Sequence, residues 1–147
     1  MRQPVLTQAP LLPASCFKDT EHYIIYLGKR LIDLKNTKDY QSPQYQDILA
    51  PNLHLQIGDV IGSGRDAFIY GYTPTTQTRP NLYIELLNTS AVADDVAGSA
   101  SAIASVKICG YASGTVKAGM IMCHWIRRQG HWKCCSFYMV YGCPDVD

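Results

Sequence analysis

The chain carries little charge and no excess of either sign: 17% of its 147 residues are charged, 13 basic against 12 acidic, for a formal net charge of +1. Such a surface has no field with which to gather phosphates, and the only adjacent basic pairs are Lys29-Arg30 and Arg127-Arg128. A nucleic-acid partner is therefore not expected. No run of about eighteen apolar residues occurs, which excludes a transmembrane helix and a membrane partner of that kind. CxxC is missing too. The six cysteines (Cys16, Cys109, Cys123, Cys134, Cys135 and Cys143) include an adjacent pair, Cys134-Cys135, that a strand would send to opposite faces. Neither a disulfide framework nor a metal site is expected, and all six thiols are expected to stay free. Gly62-Ser63-Gly64 lacks the spacing and the setting of a phosphate loop, so no cofactor is implied. The opening MRQPVLTQAPLLPASC has three prolines and no unbroken apolar stretch. Residues 1–17 read as a flexible or draped arm rather than a signal sequence, residues 18–147 as one domain, and the protein as cytoplasmic.

What is present is apolar: 47% hydrophobic and 10% aromatic residues, with ten tyrosines. A chain of this length and composition buries roughly 70% of its unfolded surface. Ile24, Leu27, Leu31 and Leu34 recur at spacings of three and four, which predicts a helix from Asp19 to Leu34, capped by Asp19 or Thr20. A shorter helix is expected over Ser42–Leu49, with Pro43 in its first turn and Pro51 beyond its end. Leu53-His54-Leu55-Gln56-Ile57 alternates with period two and reads as a strand. The segment from Phe68 through Thr78 reads as a loop or strand end followed by a polar linker that could cover a pocket mouth. A third helix is expected after Pro80, through Leu82, Ile84, Leu86 and Leu87 to about Ala93, with Asp94-Asp95 at its end. Ser99–Tyr111, Thr115–Ile126 and His131–Tyr141 then read as an antiparallel meander. A four-residue turn before His131 would set Trp125 against Trp132 and Cys123 against Cys134. It would place Met120, Met122 and His124 on one face with Cys135, Phe137, Met139 and Tyr141. The fold class expected is α+β, with helices covering one face of a curved antiparallel sheet.

The second-helix segment SPQYQDILAPNLHL, the third-helix segment TRPNLYIELL and the terminal GMIMCHWIRRQGHWKCCSFYMVYG carry a further signal in their order and spacing. From about Lys18 to Tyr141 the chain resembles the NTF2-like superfamily, and within it the SnoaL-like fungal branch of small isomerases, cyclases and dehydratases. That resemblance implies a cone: a bent sheet wrapped on three helices around a deep apolar cavity, with homodimers formed through the outer sheet face. Strand order puts Gln56 and Met122 where the ketosteroid isomerases of the superfamily place their base and their acid, so that machinery is absent. The chain is similar to scytalone dehydratase at ILAPNL and at the terminal His-Trp hairpin, but only residues 94–101 fall where that enzyme has its histidine. The function implied is a cofactor-free isomerase or cyclase of secondary metabolism, acting on a hydrophobic polyketide or meroterpenoid intermediate. The alternatives are a non-catalytic ligand-binding or protein-interaction module, or a dehydratase of the same fold.

Within such a cavity the candidate base is His54, since an imidazole switches protonation near neutral pH and can move a proton beside a carbonyl. Asp59 or Gln56 would hold it, and His124 is the alternative base. Tyr26 is the first candidate to steady an enolate oxygen and Tyr83 the second. Tyr23, Tyr70 and Tyr141 would add aromatic walls, and Met120, Met122, Phe137 and Met139 a soft apolar one for a hydrophobic substrate. A homodimer is expected because Trp125 and Trp132 would otherwise form an outward aromatic patch.

Overall fold

The computed structural model describes residues 9–71, 81–111 and 113–142. A 3-10 turn, Ala14–Cys16, precedes three helices, α1 (Thr20–Asn36), α2 (Gln44–Ile48) and α3 (Arg65–Tyr70). The strands are β1 (Leu49–Ile57), β2 (Val60–Ser63), β3 (Tyr83–Asp94), β4 (Ser99–Cys109), β5 (Lys117–Arg128) and β6 (His131–Tyr141). They form one six-stranded sheet in the order β2-β1-β6-β5-β4-β3. The sheet is mixed rather than purely antiparallel, because β1 and β6, far apart in sequence, run parallel side by side.

The first helix forms as its periodicity predicts. The Asp19 carboxylate accepts from the His22 amide at 2.9 Å, and Ile24, Leu27, Leu31 and Leu34 are buried against the sheet. Each such side chain contributes about 2 kcal/mol when taken from water. Pro43 heads the five-residue α2, which buries Tyr45 and Ile48.

Two elements differ from expectation. The segment read as a third helix is β3: Leu82, Ile84 and Leu86 lean toward the interior with period two, Leu87 faces outward, and a register shift between Leu86 and Asn88 leaves Asn88 exposed as well, so that Thr89 is the next residue inward. The adjacent Leu86-Leu87 imitates helical spacing, but the two point to opposite faces of a strand. The third helix lies earlier, at Arg65–Tyr70, where Phe68 and Ile69 are buried. Six residues are too few to show a 3.6-residue period. The polar linker, together with the Pro80 offered as a helix start, falls within 72–80, outside the described residues.

The last hairpin turns more tightly than expected. Gln129 and Gly130 both have positive φ (53° and 79°), and Arg128 pairs with His131. A two-residue turn of this handedness matches the twist of its strands. Trp125 then pairs with Cys134, and a second bulge at Cys135 sets His124 opposite Ser136 and Cys123 opposite Phe137. That extra residue exchanges faces along the pair. Met120, Met122 and His124 therefore lie on the outer face, while Phe137 and Met139 point inward. Both indoles are buried, Trp125 with 1% and Trp132 with 6% of their surface exposed, so they form no outward patch.

Candidate functional site

The inner face of the sheet is packed rather than hollow. Between α1 and strands β3–β6 the described residues enclose about 30 Å³, lined by Ile25, Gly28 and Ile32 of α1 with Leu86, Ile121 and Phe137 of the sheet. That holds about one or two waters, against the several hundred Å³ of a drug-sized site. Under α1 the space is filled by side chains; an open depression of about 350 Å³ lies instead at the β3–β4 end of the sheet, where Asp94, Ser101, His124 and Trp125 line it.

Few groups inside can act chemically. The Lys35 ammonium donates to the carbonyls of Phe68 (2.6 Å) and Ile69 (3.1 Å), tying the end of α1 to α3. Burial, with Lys38 nearby, pushes its pKa down to about 8. Two donors are buried without a hydrogen-bond partner among the described residues, the Tyr45 hydroxyl and the Trp125 indole N–H. Burial raises the Tyr45 phenol above its ordinary range. Cys134 donates to the Ser136 carbonyl at 3.3 Å, and burial beside Cys123 drives its thiol well up, away from thiolate chemistry.

On the far flank of α1 the Arg30 guanidinium is buried with Gln44. It donates to Gln44 Oε1 (2.8 Å), to the Ala9 carbonyl (2.8 Å) and to the Tyr26 hydroxyl (3.3 Å). Tyr26 also accepts from the Leu12 amide at 2.9 Å, and Phe17 packs on Tyr26 and Tyr23 with ring centroids 4.8 and 5.3 Å away. Burial raises the Tyr23 phenol. Residues 9–17 thus lie along α1.

The histidines offered as bases sit on the opposite side of the sheet. His54 is exposed, because Leu53, Leu55 and Ile57 take the inward positions of β1; its ring lies 5.6 Å from that of Tyr138. His124 is exposed with Nδ1 3.0 Å from the Ser101 hydroxyl. Gln56 shares the outer face with His54 and donates to the Gly58 carbonyl (3.4 Å), while Asp59 is exposed in the β1–β2 turn. The proposed base, its holders and its alternative therefore do not meet Tyr26, which belongs to α1 on the other side of the sheet.

Strand order, bulged hairpin and helix placement together define a fold with solved counterparts. No protein-family model matches the chain, and no curated protein matches its sequence. Solved structures do match. An NTF2-like protein of unknown function from Pseudomonas putida superposes with a TM-score of 0.68 at 14% identity, over 81% of this chain and 84% of that one. The fold is NTF2-like. A hexachlorocyclohexane dehydrochlorinase of LinA type 3 from Novosphingobium barchaimii gives a TM-score of 0.70 at 12% identity, over 83% and 86% of the two chains. The CaMKII hub of S. rosetta gives 0.66 at 14% identity, over 86% and 99%. The NTF2-like fold thus serves an enzyme in one match and a hub in another, and at these identities the likeness speaks for the fold alone.

Within the NTF2-like fold, the remaining sequence-predicted residues divide sharply. Phe137 and Met139 are buried in the interior, and Phe137 lines the small void. Tyr70, at the end of α3, and Tyr83, at the start of β3, are exposed instead of reaching inward. Tyr141 is exposed at the end of β6, with the Lys117 ammonium 5.4 Å from its ring centroid. Met120 and Met122 are 41% and 42% exposed on the outer face. Arg30, Lys35, Gln44 and Tyr45 are polar interior groups that the residue pattern did not single out. For two of them it carries a signal: Arg30 follows Leu27 by three and Lys35 follows Leu31 by four, on the stripe that defines the buried face.

Proposed function

We propose that this chain is a non-catalytic interaction module of the NTF2-like fold, assembling as a homodimer through the outer face of its sheet. The observation that carries this reading is an apolar strip on that face. Ile103 pairs with Met122, Met122 with Tyr138, and Met120 with Val140, and all but Tyr138 are largely exposed. Serines at 101, 105 and 136 border the strip, and the nearest charge on that face of β4, Lys107, lies one step beyond Ser105 and is paired across the strands with Glu85. A twofold axis through such a patch lets the strip pack on its own copy, each contact between two different residues being made twice. The presence of a hub among proteins of this fold supports the reading. Sedimentation velocity at micromolar concentration is expected to give a dimer, and Met122→Lys a monomer with unchanged circular dichroism; a monomeric wild type would end this reading.

The second reading is a SnoaL-like isomerase or cyclase for a hydrophobic polyketide or meroterpenoid intermediate. It is favoured by the unpartnered Tyr45 hydroxyl and Trp125 N–H, two donors of the kind that steady an enolate oxygen once an interior opens. Under it, a β,γ-unsaturated ketone incubated with the protein in deuterated water takes up deuterium at the γ carbon, and Tyr45→Phe slows uptake at least tenfold. Uptake no faster than in buffer removes it.

A further inference from the structure

We propose that the notch formed by Arg30, Gln44 and Tyr26 is a carboxylate-binding site, occupied in this structure by the chain's own N-terminal segment. Arg30 and Gln44 are each only 8% exposed. A guanidinium withdrawn this far from water normally has an anion beside it. Among the described residues Arg30 has none: its partners are a carbonyl, an amide oxygen and the hydroxyl and ring of a phenol, and the only ion pair there is His22–Asp19. Asp33, the nearest carboxylate on its own helix, feels the charges of Lys29 and Arg30 but stays outside ion-pair distance, and burial raises its pKa.

The donors converge on one point. Arg30 Nη1 and Gln44 Nε2 both donate to the Ala9 carbonyl oxygen, at 2.8 and 2.7 Å, the place and spacing of a carboxylate oxygen. Arg30 Nη2 and the Tyr26 hydroxyl lie alongside, 3.3 Å apart, to serve a second oxygen. A backbone carbonyl satisfies these donors and the Tyr26 ring, 5.6 Å from the guanidinium carbon, offsets part of the charge, but only a carboxylate both satisfies the donors and neutralises it. The body of the ligand is indicated by what the segment itself places there. Leu11 packs on the core, and Phe17 lies on the rings of Tyr23 and Tyr26, so the acid expected is one with a flat apolar body.

This notch is separate from the outer sheet face of the assembly reading, and a different measurement tests it. Calorimetric titration of the full chain uses 2-naphthoate, with 2-naphthamide as its neutral isostere. Leu11→Ser loosens the segment without adding charge and is expected to tighten 2-naphthoate at least tenfold relative to wild type. Adding Arg30→Gln to that variant is expected to cancel the gain, and the amide is expected to bind at least tenfold more weakly than the acid. In wild type, saturating 2-naphthoate is expected to speed exchange of the Leu12 amide, now held by Tyr26, at least fivefold. This exchange measurement decides the matter if Leu11→Ser does not fold. Equal binding of acid and amide, no binding to the loosened variant, or unchanged Leu12 exchange overturns the proposal.

Discussion

The two faces of the sheet are made from the same strands and share almost nothing else. Inward positions of β5 and β6 hold Ile121, Cys123, Trp125, Phe137 and Met139, closed over by α1. Outward positions hold Met120, Met122 and His124, open to solvent. The difference teaches that in this chain the candidate histidines share the accessible face with Met120 and Met122, while Phe137 and Met139 help fill the interior that the helices cover.

The contrast is broken most severely by removing its largest inner side chain. Trp125→Ala is expected to lower unfolding free energy by about 3–5 kcal/mol, while His124→Ala, one residue away on the outer face, changes it by less than about 0.5 kcal/mol. Urea denaturation of the two variants measures this, and equal losses would refute the assignment of faces.

A pH titration sharpens it next. Lys35 is held near pKa 8 in the folded chain against an ordinary value of 10.5, so between those values the unfolded chain binds more protons. The Lys35 contribution to stability therefore rises with pH through that window, by about 2–3 kcal/mol. The raised thiols of Cys134 and Cys135 act oppositely once unfolded cysteines ionise near about pH 8.5, and the raised phenol of Tyr45 does so near about pH 10, so the Lys35 contribution is read as the difference between wild type and Lys35→Met. Thermal melts of wild type are expected to gain on those of Lys35→Met as the pH rises above about 8; a difference that stays constant would show the amine is not desolvated.

The smallest effect concerns the turn that sets the faces. Gln129 stands in the left-handed region at φ 53°, where Asn is better tolerated. Gln129→Asn is expected to stabilise by about 0.5–1 kcal/mol, read as a higher urea midpoint, and a lower midpoint would argue against the two-residue turn.

Much of this architecture is legible in the residues. The stripe Ile24-Leu27-Leu31-Leu34 specifies α1, Pro43 marks the start of α2, and the alternation from Leu53 to Ile57 specifies which face of β1 is buried. What escapes is set by single extra residues. The bulges at Leu87 and Cys135 exchange inside and outside for the remainder of their strands, and no local composition announces them. The candidate site fails for a related reason: His54 does lie on a strand of the sheet, but the polar face of that strand is the outer one. Arg30 and Lys35 escape because a long cation on an apolar stripe reads as surface until the segment that covers it is seen.

The parallel pairing of β1 with β6 also governs how the chain can reach this shape. Leu55 meets Phe137, so an early strand must keep one edge unpaired until the last one arrives. The hairpins β3–β4, β4–β5 and β5–β6 close through local loops and are free to form first, whereas docking of β1 pays the entropy of a long loop. Any interruption that withholds β6 leaves β1 and β2 as a sticky two-stranded ribbon, and the molecule acquires its finished sheet in one late step.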